Sequence, residues 1–164
     1  MASRKISTHN GGLPAQAGFT LMEMLIVMGI ILVIASAPLF IDLTSYRADA
    51  FRAERSAVVT LLQKARADAL NNINQQAHGV AFFPPDHQKS YVVFEGDSYA
   101  ASDPATREVS DGNYLVTFGA GSPSEVAFTQ LDGSANFSGD IVLVDTQRAA
   151  TTTITINHEG AISY

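Results

Sequence analysis

Ala17-Gly18-Phe19-Thr20-Leu21-Met22-Glu23 opens an apolar stretch that carries no other charge from Phe19 to Ile41. That stretch is 23 residues long, enough to cross a bilayer as a helix at about 1.5 Å per residue. A carboxylate inside such a span costs about 2.5–3.5 kcal/mol or more. Glu23 therefore needs a partner, and the segment contains none. Arg4 and Lys5 precede the span with no acidic residue beside them, which predicts a cytoplasmic N-terminus.

Outward from this stretch the chain changes character twice. Residues 1–18 are polar, with Arg4 and Lys5, and read as a leader. Residues 19–41 read as a transmembrane helix, and 42–78 as the amphipathic half of the same long helix. In that half Phe51, Val58, Leu62, Ala65, Ala69 and Ile73 recur at helical spacing. Arg52, Glu54, Arg55, Gln63, Lys64, Arg66 and Asp68 fall on the other faces. The apolar stripe needs covering, by the rest of the chain or, in the alternative, by a coiled-coil partner. Gly79 is a plausible helix cap, with His78 near the negative helix end. Pro38 removes a backbone hydrogen bond and predicts a kink.

From Gly79 the period shortens to two. Residues 79–83, 91–95, 114–118, 125–130, 140–145 and 151–157 are β-branched and aromatic runs separated by Gly, Pro, Asn and Asp. Asn157-His158-Glu159-Gly160 predicts a hairpin turn with glycine at the positive-φ position, leading into a last strand over 161–164. Residues 95–112 form a polar insertion. The fold class expected is α+β: a long N-terminal helix, transmembrane then amphipathic, packed on an all-β head over 79–164.

Gly18-Phe19-Thr20-Leu21-x-Glu23 after a basic polar leader resembles the processing site of type IV prepilins and type II secretion pseudopilins. The resemblance implies cleavage between Gly18 and Phe19 by a prepilin peptidase, then N-methylation of Phe19. It also supplies the missing partner of Glu23, the N-terminal amine of a neighbouring subunit in a filament. A cationic amine is what a buried carboxylate needs. The resemblance places Pro38 earlier than the family's usual proline. A long helix before an all-β head without disulfides is similar to the GspH/FimT-like branch. Leu61-Leu62-Gln63-Lys64-Ala65-Arg66-Ala67-Asp68-Ala69, Phe128–Gly133 and Ile154–Gly160 carry the likeness onward. The partners implied are other pilin or pseudopilin subunits, the prepilin peptidase and methyltransferase, and the inner membrane. The localisation implied is a single-pass inner-membrane protein with a periplasmic head, later part of a filament, with a role in initiation or at the tip.

Two other readings compete for the N-terminus. Ala35-Ser36-Ala37 is a secretory signal-peptidase site, which would release a soluble β domain. Against it stand an apolar run longer than 7–15 residues, the presence of Glu23, and Pro38 directly after the scissile bond. A plain anchor has no use for Glu23.

The chain contains no Cys, which excludes disulfides and thiol chemistry. Catalytic motifs are absent, so no enzyme activity and no cofactor are expected. His78, His87 and His158 share no ligand spacing and read as surface residues, not a metal site. Asp97, Asp103 and Asp111 offer oxygen ligands for Ca²⁺, but their spacing matches no EF-hand and favours a solvated loop. Asn136-Phe137-Ser138 fits a glycosylation sequon. Net charge is −6 for the whole chain; losing Arg4 and Lys5 leaves eight basic residues against sixteen acids, or −8. From Gly79 onward Lys89, Arg107 and Arg148 face eleven acids, again −8. DNA receptors among FimT-like minor pilins use a basic C-terminal tail, whereas no basic residue follows Arg148 here. Phosphate binding rests on Lys and Arg, so nucleic acid is an unfavoured partner.

Overall fold

A computed structural model describes residues 18–36 and 43–164 of the chain. The leader, the expected kink at Pro38 and the remainder of the single long helix over 37–42 lie outside the described residues. The chain divides into two units, one ending at Asp42 and one running Leu43–Tyr164, here called the head. The N-terminal unit contributes one helix, α1 (Leu21–Ser36), in which no residue is buried.

The head begins with α2 (Leu43–Leu70), 28 residues rich in Ala, Leu and Arg, all good helix formers. Its stripe is covered by the chain's own strands: Phe51, Val58, Leu62, Ala65 and Ala69 are buried. Ile73 is not; it sits in a 3-10 turn past the helix and is exposed. Glu54, placed by the sequence on a polar face, is buried as well. Asn72 stops the helix. It adopts a left-handed conformation at φ 55°, which Asn tolerates better than most residues. Gly79 is therefore not the cap. It lies inside a strand, where a Cβ would collide with the Phe94 ring and sit 2.6 Å from the Val126 carbonyl oxygen.

Eight strands follow: β1 (His78–Phe82), β2 (Ser90–Glu95), β3 (Glu108–Asp111), β4 (Val116–Phe118), β5 (Glu125–Phe128), β6 (Gly139–Asp145), β7 (Ala150–Ile156) and β8 (Ile162–Ser163). They form two antiparallel sheets, ordered β3-β2-β1-β5 and β4-β6-β7-β8. β1 is central in the first, pairing Val80 with Val93 and with Val126. β6 and β7 pair along their full length, from Gly139↔Ile156 to Asp145↔Ala150. The turn into β8 is the one expected, with Gly160 at φ 74° and its N–H donating to Asn157 O at 3.0 Å.

One core joins the α2 stripe to Val80, Phe82, Val126 and Phe128 of the first sheet and to Ile141, Leu143, Ile154 and Ile156 of the second. Phe82 and Phe83 both reach Phe118 on β4, with ring centres 4.9 and 5.2 Å apart, and so link the sheets. The first sheet has a second covered face. Ala81, Val92, Phe94 and Ala127 form a separate small cluster beneath Tyr99. That is why β1 is buried at every position instead of alternating.

Candidate functional site

Gly18, Phe19 and Thr20 precede α1 and are exposed. A Cβ on Gly18 would meet no atom within 4 Å, so this unit makes no steric demand for glycine there. Thr20 starts the helix. Its Oγ1 accepts the Glu23 N–H at 3.2 Å and its carbonyl accepts the Met24 N–H at 3.1 Å. Thr20 and Glu23 thus hold the threonine-to-glutamate spacing of a capping box, a local signal that the argument from a buried charge leaves unused. The position also puts Glu23 in the first turn, where the helix dipole favours negative charge.

Along α1 the large apolar side chains are all open, Leu21 at 82% and Leu32 at 70% exposure among them. Its 16 residues extend about 24 Å. Among the described residues no helix is long and apolar enough to cross a membrane. What the unit offers chemically is an exposed peptide bond at Gly18–Phe19, a capped acidic first turn, and a rod of uncovered apolar surface.

The head offers no comparable chemistry. Asp97, Asp103 and Asp111 do not converge. Asp103 caps a short 3-10 turn by accepting the Ala105 N–H at 2.9 Å, and Asp111 lies in β3 and accepts from Ser90 at 3.4 Å. Among the described residues no three His, Cys, Asp or Glu side chains are grouped to hold a metal. His158 is exposed and His87 half-buried, but His78, read as a surface residue, is buried, with Nε2 3.0 Å from the Ile73 carbonyl. The sequon asparagine is used by the fold itself, since Asn136 Oδ1 accepts the Ala127 N–H at 2.9 Å.

The polar insertion keeps Asp97, Asp103 and Asp111 exposed, as read from the sequence, yet it is not irregular throughout. It holds the edge strand β3 and a strap pinned by one arginine. Arg107 donates from Nε to Ser102 Oγ at 2.9 Å and from Nη2 to the Tyr99 and Ser102 carbonyls at 2.8 and 3.1 Å. Its guanidinium lies 4.0 Å from the Tyr99 ring centre. Tyr99 Oη donates to Asp86 at 2.6 Å, and Arg107 reaches the same carboxylate at 3.3 Å. The tyrosine hydrogen bond is the main reason the Asp86 carboxyl titrates below its usual range. Desolvation, then the Asp86 hydrogen bond, raises the Tyr99 phenol.

A second buried polar site joins α2 to both sheets' connection. Glu54 accepts from Tyr91 Oη at 2.6 Å and from the Asn113 N–H at 2.8 Å. Burial first, and the Glu54 carboxylate second, push the Tyr91 phenol far up.

The three segments that carry the likeness beyond the N-terminus meet in space. Leu62, Ala65 and Ala69 pack into the core, while Arg66 turns the other way. It donates to the Gly133 carbonyl at 3.3 Å and to the Glu159 carbonyl at 2.9 Å. Leu131 N–H caps the helix carbonyl of Ala69 at 2.9 Å. A Cβ on Gly160 would strike the Gly133 carbonyl and come within 2.9 Å of Arg66 Nε. These residues form a structural latch between the helix end and two turns.

Residues 13–37, which include Gly18, Phe19 and Glu23, match the prokaryotic N-terminal methylation motif. The structure resembles two crystal forms of the type IV minor pilin FimU of Pseudomonas aeruginosa. One gives a TM-score of 0.55 at 16% identity, covering 73% of this chain and 90% of that one. The other gives 0.53 at 16% identity, covering 68% and 90%. In fold the chain is like a type IV pilin. No curated protein matches it in sequence. The pilin-like fold confirms the α+β organisation, a helix followed by an antiparallel β head.

Proposed function

We propose that this protein is a minor pilin or minor pseudopilin, a structural subunit and not an enzyme. It is cut between Gly18 and Phe19 by a prepilin peptidase, methylated on the new Phe19 amine, and assembled from the inner membrane into a filament. The observation that carries the reading is the methylation motif set on an α1 that buries none of its side chains. An apolar rod with no intramolecular cover trades lipid contacts for neighbouring helices when it leaves the bilayer. Glu23 then accepts the Phe19 amine of an adjacent subunit, which fixes register between rods. Gly18 fits the same reading, because glycine is required there by a peptidase and not by the fold.

That a structural neighbour is described as a type IV minor pilin supports the pilus over the secretion pseudopilus as the assembly; a place in initiation or at the tip is part of the same proposal. The head's net charge supports neighbours that are proteins, not nucleic acid.

Mass spectrometry of the N-terminus from native membranes tests this reading. N-methylated Phe19 is the expected result. A chain starting at Pro38 would overturn it in favour of a secreted domain, and an intact Met1 would leave a simple anchor.

A further inference from the structure

Net charge hides an asymmetry in the head. Eight basic residues follow the leader. Lys64 and Arg107 pair with Glu108 and Asp86, Arg66 is turned into backbone carbonyls, and Lys89 lies over the Phe83 ring. The remaining four, Arg47, Arg52, Arg55 and Arg148, gather at the N-terminal end of α2. Arg52, Arg55 and Arg148 line one groove of about 270 Å³, walled by Phe51 and the start of β7. Arg47 lines the adjoining cleft.

Among the described residues the acids at this end are already engaged. Glu54 is buried against Tyr91 and Asn113. Asp145 accepts the Gln147 and Arg148 N–H groups at 2.9 and 3.2 Å. Asp49 reaches Arg52 at 3.2 Å, but both side chains are about three-quarters exposed, at 74% and 73%, so the pair is weak. Arg55 Nε is buried and has no hydrogen-bond partner among the described residues, and its guanidinium is steadied 5.5 Å from the Tyr164 ring centre. A buried donor left unpaired costs about 1–3 kcal/mol, and the rest of the Arg55 guanidinium lines the groove, where a carboxylate can reach it.

The opposite end of α2 has the opposite sign. Asp132 and Glu159, both exposed, sit in the two turns that Arg66 latches to the helix end. Arg52 and Ala69 are separated by about 26 Å along the helix. A positive groove at one end and exposed carboxylates at the other form a heterologous, head-to-tail pair. Such pairs are not self-complementary, so each copy can engage two neighbours, in a ring where the rotation closes and in a helical array where it does not.

We propose that the Arg52–Arg55–Arg148 groove receives the acidic end, Asp132 and Glu159, of a second copy of this chain. The proposal rests on the filament reading only in that assembly brings heads together. The groove admits one or two side chains. A long polyanion laid across it would meet the rest of an acidic head within a Debye length, about 8–10 Å.

The absence of native cysteine makes the test direct. Thr151→Cys at the groove and Leu131→Cys beside Asp132 are introduced together into the full chain in its membranes, followed by mild oxidation. The two positions are too far apart within one chain to form a disulfide. A ladder of linked oligomers is expected. Arg52→Glu with Arg148→Glu should reduce it about tenfold, the loss of roughly 1.4 kcal/mol of pairing. Adding Asp132→Arg and Glu159→Arg should restore it, which a misfolded variant would not allow.

Absence of the ladder, or a ladder indifferent to charge reversal, overturns the proposal. So does duplex DNA binding by the full chain in detergent that Arg52→Glu with Arg148→Glu abolishes, since the groove would then be a nucleic-acid site. The mass of the N-terminus is read on the same membranes, so failure of the groove and failure of the filament reading are separate results.

Discussion

α1 and α2 are both helices with apolar residues, yet they answer to different partners. α2 buries Phe51, Val58, Leu62, Ala65 and Ala69 in its own chain's core, whereas α1 buries nothing. Even their acids differ. Glu54 on α2 is consumed by Tyr91 and Asn113. Glu23 on α1 has the local cap geometry of Thr20 and, among the described residues, no partner for its carboxylate. A helix whose every demand is met internally is part of a domain. A helix with an uncovered apolar surface and an unspent charge is half of an interface. Substitutions in α1 should therefore change assembly and leave head stability alone, and substitutions in α2 should do the reverse.

The largest effect is expected at the N-terminus. Replacing Gly18 with a bulky residue should abolish the processed form, because nothing in the fold resists the change and everything in the motif does. Glu23→Leu should leave processing intact, remove the subunit from sheared filaments and leave the melting of the head unchanged. Immunoblots of membrane and filament fractions separate the two. A head destabilised by Glu23→Leu would break the contrast between the two helices.

Within the head the largest loss is expected from Leu62→Ala, which empties a fully buried position where helix and both sheets meet. Cavity formation there should cost about 2–5 kcal/mol in denaturant unfolding of the full chain in detergent. Arg66→Ala should follow at about 1.5–3 kcal/mol, since it strips charged donors from the Gly133 and Glu159 carbonyls. Neither variant should alter cleavage at Gly18.

That latch also marks where the sequence was legible and where it was not. The alternation of 151–157 and the Asn157–Gly160 turn could be read directly, because period and turn chemistry are local. So could the α2 stripe up to Ala69. The latch itself joins Arg66, Gly133 and Gly160, which lie far apart in the chain, and only the fold makes them neighbours. The polar insertion was legible only in part for the same reason: its aspartates are exposed as read, but its strap was hidden. Tyr99 and Arg107 look like loop residues until Phe94 and Asp86 are beneath them. Residue type alone puts Glu54 and His78 on the surface, but their partners Tyr91, Asn113 and Ile73 become visible only in three dimensions. Net charge erred by averaging: the four arginines at one end of α2 vanish into a total of −8. At the N-terminus the motif over residues 13–37 is a local pattern and could be read directly.

Tyr91→Phe should cost about 1–2 kcal/mol, because Glu54 keeps the Asn113 N–H as a partner. Its more diagnostic effect is on pH dependence. The folded Tyr91 phenol titrates far above its unfolded value of about 10. Its contribution is therefore complete below that pH and is lost as pH rises beyond it, because the unfolded chain releases the proton first. Alkaline unfolding of the wild-type chain should steepen above about pH 10, and Tyr91→Phe should flatten it.

The smallest effect should come from the strap. Asp86 is exposed, and its carboxyl titrates below the usual range because Tyr99 donates to it and Arg107 lies beside it. A depressed carboxyl contributes stability above its unfolded value and loses it as pH falls toward the folded one. Below about pH 4 the Tyr99 segment should loosen while the main core, which lies on the other face of the first sheet, stays closed. Amide exchange of Tyr99 and Ser102 between pH 5 and 3 reads this out, and Asp86→Asn should remove the dependence. If Tyr99 loosens only together with Leu62, the strap and the core are one cooperative unit. The head would then tie its outer face into the same transition as its interior, and the division between a self-sufficient head and a dependent α1 would be sharper still.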